Sequence, residues 1–395
     1  MTRLRVVHVA RDIVGTGGGE VVRQVTALTA ARGVEVVLVT DSTDFVPAPG
    51  VTVKTVAGGG ALIAWQPEHR IGWHVRHALQ IAWFTVASSM IALPLRMRGY
   101  VVFNHNCESL VGQVLVMHNV FSAELTRRHL SRPRMFLAYL NPVRAIRIAK
   151  ERVLAAPVWG RRLLAVSQAA LPDVVALAGG HDRVSVTPNG VDLTKFSAEP
   201  GPIDVLLAQQ LVGSRTVVLF IGHEFARKGL PELIAALAGM PSDTILLVAG
   251  GESQDRERYR IMAEKSGVAS NVVFLGRVDD VRPVLGVADV FCLPSHYETM
   301  PLVALEALAA GVPIVLTPEC PAHRLIVSGA NGEVTSHDPE EIGRAIAKAA
   351  LVVKGDAVRA SVAEMSWERT TAGYLQVAEG IATRGSVARR RRVAA

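Results

Sequence analysis

Five short apolar runs punctuate the second half of the chain: TVVLFIG, TILLVAG, NVVFLG, DVFCLP and VPIVLT. Each is too short for a helix, is apolar throughout rather than alternating, and ends at Gly, Pro or Thr. The stretches between them have helical character, starting near Leu230, Arg256, Val281, Pro301 and Pro339. Strands buried on both faces and separated by helices belong to a parallel sheet covered on both sides. The first half repeats the theme. Strands are expected at Leu4 to Val9, Val34 to Thr40, Val51 to Val56, Tyr100 to Phe103, Val111 to His118 and Leu163 to Val166. Helices are expected from Gly19 to Arg32, His74 to Met97, Pro142 to Ala155 and Gln168 to Ala178. A chain of 395 residues exceeds what one core organises. The expectation is an α/β protein of two Rossmann-like, doubly wound domains, with ligand taken where the carboxyl ends of the two sheets face each other across a cleft. The Pro- and Gly-bearing segment Ser197 to Pro202 sets the boundary, giving domains 1–198 and 199–365. Residues 366–395 form a last helix, from about Trp367 to Ile381, and a basic tail. The sequence leaves open which domain that helix joins.

Composition narrows the function. Half of the residues are hydrophobic and 19% are charged, which is a globular balance. Cys107, Cys292 and Cys320 are far apart and form no CxxC, which argues against a disulfide framework or zinc site and fits a reducing cytosol. The opening MTRLRVVHVA runs straight into a strand pattern, so no signal peptide is expected. The formal charge of +7 calls for an anionic partner. Much of it lies between Arg127 and Arg162, and the ARRRRVAA tail reads as a disordered, solvated run. Without an RNA-binding signature or zinc-finger spacing, nucleic acid is not the expected partner. Ala78 to Leu95 carries no charge for 18 residues. It reads as a buried helix first and a membrane-surface element second, with His74, Arg76, Arg96 and Arg98 flanking it and Trp73 and Trp83 supplying interfacial side chains.

Four stretches can carry chemistry. HYETMPLVALE places Glu298 and Glu306 eight residues apart. A helix from Met300 to Ala310, capped by Thr299 and closed by Gly311, is expected there. At helical pitch the two carboxylates stand about 12 Å apart along the axis and about 80° around it. They cannot share a metal; they suit the two ends of an elongated ligand, with an anion at the helix N-terminus between them. GTGGGE, Gly15 to Glu20, lets backbone approach a phosphate or sugar, although a dinucleotide fingerprint wants glycine where Glu20 stands. Asp41, at the end of the second strand, keeps an NAD reading open. GHEFARKGL brings Arg227 and Lys228 to a strand's carboxyl end, where they suit a diphosphate. VLVMHN ends a strand at His118. The chain has no DxD in a suitable loop, no GxSxG and no GxxxxGK[ST], which removes the common metal-clamp, hydrolase and ATPase readings.

Taken in order, GTGGGE, His118, LLAVSQAA, TPNGVD, ARKGL, LLVAGG, NVVFLGRV and the E-x7-E of Glu298 and Glu306 resemble a retaining glycosyltransferase of family 4 with the GT-B fold, over nearly the full chain. The resemblance implies sugar transfer from a UDP- or GDP-sugar to a hydroxyl acceptor, without metal or other cofactor. It implies that Glu298 lies by the donor sugar and Glu306 binds the ribose, with Met300, Pro301 and Leu302 at the helix start between them. Arg227 and Lys228 hold the donor phosphates beside Gly222, Gly18 and Gly19 form the loop near phosphates and acceptor, and His118 lies near the donor sugar. Backbone around Arg277 and Val278 holds the base. Glu298, His118, Arg227 and Lys228 form the catalytic set.

Two departures stand out. Thr299, Met300 and Pro301 replace the family's Gly-Phe-Gly type run, and Pro318 to Arg324, PECPAHR, replaces its frequent Gly-Gly segment. The basic, apolar, Trp-bearing stretch from Gln66 to Arg162 points to a glycan or lipid-linked acceptor of the cell envelope, presented to a cytoplasmic protein at the inner face of an anionic membrane. The competing readings are a soluble secondary-metabolite acceptor, a sugar-nucleotide binding protein without turnover, a GT-B epimerase or phosphorylase, and an NAD-dependent enzyme.

Overall fold

The structure, a computed structural model, describes residues 3–42, 45–56, 70–127, 141–202 and 216–393. It divides into two compact units, one of Met1–Asn189 with Trp367–Ala395 and one of Gly190–Ser366. The division falls ahead of Ser197 to Pro202. Val191 N–H already donates to Met365 O at 2.7 Å and the two segments form a parallel bridge, so residues after Asn189 pair with the second unit before the expected linker begins.

Unit 1 is a seven-stranded parallel sheet: β1 (Arg5–Val9), β2 (Glu35–Thr40), β3 (Val51–Thr55), β4 (Val101–His105), β5 (Val114–Met117), β6 (Arg162–Ala165) and β7 (Val184–Val186). Their order is β3-β2-β1-β4-β5-β6-β7, with the reversal between β1 and β4 that marks a doubly wound sheet. β4 and β5 are buried at every position, which is why they read as continuous apolar runs. β5 is shorter than expected because Val111 N–H is taken by Ser109 Oγ rather than by the ladder. The helix expected from Gln168 begins at Leu171, since Ser167 Oγ accepts from Ala170 N–H and Pro172 follows. Helix Gly17–Ala31 starts on a Thr16 cap, whose Oγ1 accepts from Gly19 N–H.

Helix Arg70–Met97 packs Phe84, Ala92 and Leu95 onto the sheet with Val7, Val9, Val37 and Val102. Its Thr85 and Ser88 are buried and bonded, Thr85 to Lys150 Nζ at 2.7 Å and Ser88 to Glu108 O at 3.2 Å. Helix Trp367–Val393 joins this unit through Tyr374, which stacks on His8, and through Thr370, which donates to Pro188 O. It continues through the arginine run of 389–392, where a disordered run was expected. The basic segment at 128–140, like 57–69, lies outside the described residues.

Unit 2 is a six-stranded parallel sheet: β8 (Thr216–Ile221), β9 (Thr244–Ala249), β10 (Val272–Gly276), β11 (Val290–Leu293), β12 (Ile314–Leu316) and β13 (Gly332–Val334), in the order β10-β9-β8-β11-β12-β13. The helix between the two glutamates runs from Leu302 to Ala309, later than expected. Pro301, not Thr299, occupies its cap position, in extended backbone with φ −72° and ψ 118°. Glu298 therefore lies outside that helix, and helical pitch does not set its separation from Glu306. Cys107, Cys292 and Cys320 are free and buried.

Candidate functional site

In unit 2 the loop after β8 delivers two cations to one carboxylate. Arg227 and Lys228 both have their N–H bonded to Glu224 O at 3.0 Å, which closes the turn. Their side chains converge on Glu298 Oε1, Lys228 Nζ at 2.8 Å and Arg227 Nη1 at 3.0 Å. Arg227 Nε also pairs with Glu224 at 2.7 Å. Burial raises the Glu298 carboxyl, but Lys228 and Arg227 outweigh it and hold it below the ordinary carboxylate range. The backbone fixes this arrangement from both sides: His296 N–H donates to Arg227 O at 2.8 Å and Glu298 N–H to Glu319 O at 3.2 Å. Thr317 Oγ1, fully buried after β12, donates to Ser295 O at 2.7 Å and pins the loop after β11.

Glycines close the space beneath these side chains. A Cβ on Gly222 would overlap Lys228 Cδ, and one on Gly250, at φ 103°, would overlap Gly222 O. Gly250 N–H donates to Gly276 O at 2.6 Å. The ends of β8, β9 and β10 thus meet as bare main chain. Arg277, just past β10, is exposed and paired with Asp279 at 2.9 Å, and Val278 beside it is half-buried. Met300, Pro301 and Leu302 are buried at the start of helix Leu302–Ala309, and Glu306 is half-buried within it.

Four residues to which the sequence assigns no role, His296, Glu232, His337 and Glu319, complete this region. His296 pairs with Glu232 at 2.9 Å and stacks on His337 at 4.1 Å, and His337 lies 3.3 Å from Glu319. Burial and then His296 lower the His337 pKa. The departure PECPAHR was the available signal, because Glu319, which accepts from Glu298 N–H, lies within it.

In unit 1 the glycine loop sits over a histidine. A Cβ on Gly18 would lie 3.6 Å from His118 Cγ, and one on Gly19 would lie 2.6 Å from the Ile13 backbone, so the helix approaches that segment only as glycine. His118, one residue past β5, is buried and lies 2.7 Å from His105 Nδ1. His105 in turn lies 3.0 Å from His8. Asn106 and Cys107, at φ 50° and 59°, turn the chain sharply after His105. Neither His8 nor His105 had been singled out. The acid of an NAD reading, Asp41, has its carboxyl pushed up to about 7 by burial and by Asp12, and Glu20 is tied to Arg23 and Gln24.

Residues 208–352 match the family model for glycosyl transferases group 1. Over 178 residues the chain is 31% identical to the lipopolysaccharide glucosyltransferase WaaG of Escherichia coli strain K12, covering 42% of this chain and 47% of WaaG. Over 391 residues it is 29% identical to a D-inositol 3-phosphate glycosyltransferase of Acidothermus cellulolyticus, covering 90% of this chain and 84% of the relative. The first of these alignments thus spans about half of the relative's length. A crystal structure of WaaG superposes with a TM-score of 0.69 at 22% identity, covering 96% of this chain and 98% of that one. Anabaena HepE in complex with UDP-glucose superposes with a TM-score of 0.65 at 19% identity, covering 96% and 100%. The chain therefore has the GT-B fold, two parallel-sheet α/β units, and a segment of its second unit, residues 208–352, matches the glycosyl transferases of group 1.

Proposed function

We propose that the protein is a retaining glycosyltransferase of the family 4 type, moving a sugar from a UDP- or GDP-sugar to a hydroxyl acceptor without a metal. The observation that carries this reading is the convergence of Arg227 and Lys228 on Glu298 at the carboxyl end of β8, within the matched segment. Two cations held by one carboxylate are placed to take a diphosphate without reorganisation, and they favour it more as it gains charge on leaving. In this reading the bond from the anomeric carbon to the diphosphate breaks while the acceptor oxygen bonds the same face, and the acceptor proton passes to the departing phosphate oxygen. Glu298, with an oxygen tied to two cations, is a poor nucleophile, which disfavours a covalent glycosyl-enzyme. Glu306 takes the ribose, Met300, Pro301, Leu302 and Gly222 line the diphosphate, backbone at Arg277 and Val278 takes the base, and the resemblance assigns Gly18, Gly19 and His118 to the donor's phosphates and sugar.

A thermal-shift screen against UDP, GDP, ADP, TDP, their sugar conjugates and NAD, with and without EDTA, tests the donor class. One nucleoside diphosphate should raise Tm regardless of EDTA, and Glu306→Ala should abolish that shift. Stabilisation by NAD alone would refute the reading. The anomeric configuration of the transferred sugar, read by NMR, tests retention.

The acceptor is proposed to be lipid-linked or a cell-envelope glycan, met at the inner face of an anionic membrane by a cytoplasmic protein. Supporting this, helix Arg70–Met97 packs one face on the sheet and turns Trp73, Val75, Leu79, Trp83, Val86, Met90, Leu93 and Met97 outward, Met90 and Met97 at 71% and 74% exposure. That face follows helical spacing, the helix contains no acidic residue, and exposed Arg96 and Arg98 sit at its end. The name of WaaG points the same way. Trp83→Ser with Met90→Ser should lower binding to vesicles containing anionic lipid and leave neutral vesicles unaffected; equal binding by wild type and variant sinks the membrane contact. The second reading, a soluble acceptor, is favoured by the relative named for D-inositol 3-phosphate.

A further inference from the structure

Three histidines lie on one diagonal of the unit 1 sheet. In register, His8 on β1 faces Phe103 on β4, and His105 on β4 faces Val116 on β5. Residues two apart on a strand share a face. His105 therefore lies two positions beyond the partner of His8, and His118 two positions beyond the partner of His105. Each step crosses one strand and moves toward the carboxyl ends, which brings the imidazoles into a row. His8 Nδ1 is 3.0 Å from His105 Nε2, and His105 Nδ1 is 2.7 Å from His118 Nε2. The His105 and His118 rings stack within 8° of parallel, and Tyr374 stacks on both His8 and His105.

All three rings are buried. Burial, and for His8 the neighbouring His118, lowers His8 to about 3; burial lowers His118 to about 4. Burial, then His118 and His8, holds His105 well below the ordinary range. Each ring is thus neutral at pH 7, with one N–H and one bare nitrogen. His105 spends both nitrogens in the row, so it must donate to one neighbour and accept from the other. Only two patterns remain. Either every N–H points toward His118, leaving the proton of that ring on Nδ1, or every N–H points toward His8, leaving His118 Nδ1 bare.

We infer that His8 and His105 are positioning residues that fix which nitrogen of His118 carries its proton, so that Nδ1, the atom outside the row, keeps one hydrogen-bonding role. Its catalytic consequence rests on the proposed transfer reaction, in which His118 serves the donor sugar. The row itself does not.

The test reads 15N chemical shifts of the His118 ring in full-length, histidine-labelled protein. Wild type should show one tautomer of neutral His118 at pH 7. His8→Phe keeps a ring against Phe103 and Tyr374 and leaves His118 itself unaltered, yet should change the His118 tautomer population. His105→Phe should do so more strongly, and His105→Gln, which can both donate and accept, should restore a single form. In the transfer assay, His105→Phe should lower kcat by about 10- to 100-fold with little change in donor KM, the scale seen when a group that orients a reacting one is lost. Unchanged His118 shifts in His8→Phe, or a mixed or charged His118 in wild type, would overturn the inference; His8→Phe decides alone should His105→Phe not fold. A tautomer that responds in a protein transferring no sugar would leave the row standing and remove the proposed function.

Discussion

Glu298 and Lys228 are joined directly, 2.8 Å from Oε1 to Nζ, and Arg227 shares the same oxygen at 3.0 Å. Removing this carboxylate's charge leaves two largely buried cations facing each other. Glu298→Gln should destabilise the protein by about 3 kcal/mol, measured by urea unfolding, since breaking one side of a buried pair strands the other. A nucleoside diphosphate would then re-pair the cations. The variant should bind it at least as tightly as wild type while losing about 100-fold or more in turnover. Weaker diphosphate binding by calorimetry would contradict this assignment.

Gly222 makes room for the Lys228 stem. Gly222→Ala should displace the lysine and weaken diphosphate binding about tenfold, a loss of about 1.4 kcal/mol. Gly239→Ala, where an added Cβ would find only Ala236 O at 3.8 Å, is the matched control and should bind normally. Equal affinities for the two variants would show that Lys228 does not hold the phosphates.

Gly19 is constrained by packing. Its added Cβ would lie 2.6 Å from Ile13 backbone atoms, which cannot swing aside as a side chain can. Gly19→Ala should cost about 1–3 kcal/mol of stability, visible as a lower urea midpoint with an unchanged slope.

The histidine row has a pH signature with a defined sign. Each ring is neutral when folded and protonates near 6.5 when unfolded, so the unfolded state binds more protons as pH falls below 6.5 toward 4. Stability is then lost at about 1.4 kcal/mol per pH unit for each histidine. Asp41, Glu108 and Glu151, all raised by burial, act with the opposite sign, so the difference between proteins is the readout. Between pH 6 and 4.5 the unfolding free energy of His8→Phe should fall less steeply than that of wild type, by about one such increment. Parallel curves would mean that His8 is not buried neutral.

Much of this architecture was legible because its strands are apolar at every position. β8 and β9 were recovered within a residue from TVVLFIG and TILLVAG alone. β7 and β13 were not, being three residues long and carrying Ser185 and Glu333 within them, too short to show a period. Glu298, Arg227 and Lys228 were read as separate features of one ligand site; that they grip each other follows from the return of the chain past β11, 70 residues later. His118 stood out because it ends a strand, whereas His8 and His105 acquire meaning only through register, which no local pattern encodes. The helix start at Leu302 was misplaced because Pro301 suits a first helical turn and an extended cap equally well.

Under the proposed function, the meeting of Gly222, Gly250 and Gly276 beneath Lys228 bears on how donor preference could be changed in the laboratory. A floor of bare main chain offers no side chains to exchange, and any replacement at Gly222 or Gly250 collides with its neighbours. If the proposed donor site is right, libraries aimed at new sugar donors are best spent at Pro318 to Arg324 and at His296 and His337, where Glu319 O accepts from Glu298 N–H. Diversity placed in the glycine floor should return mostly inactive clones.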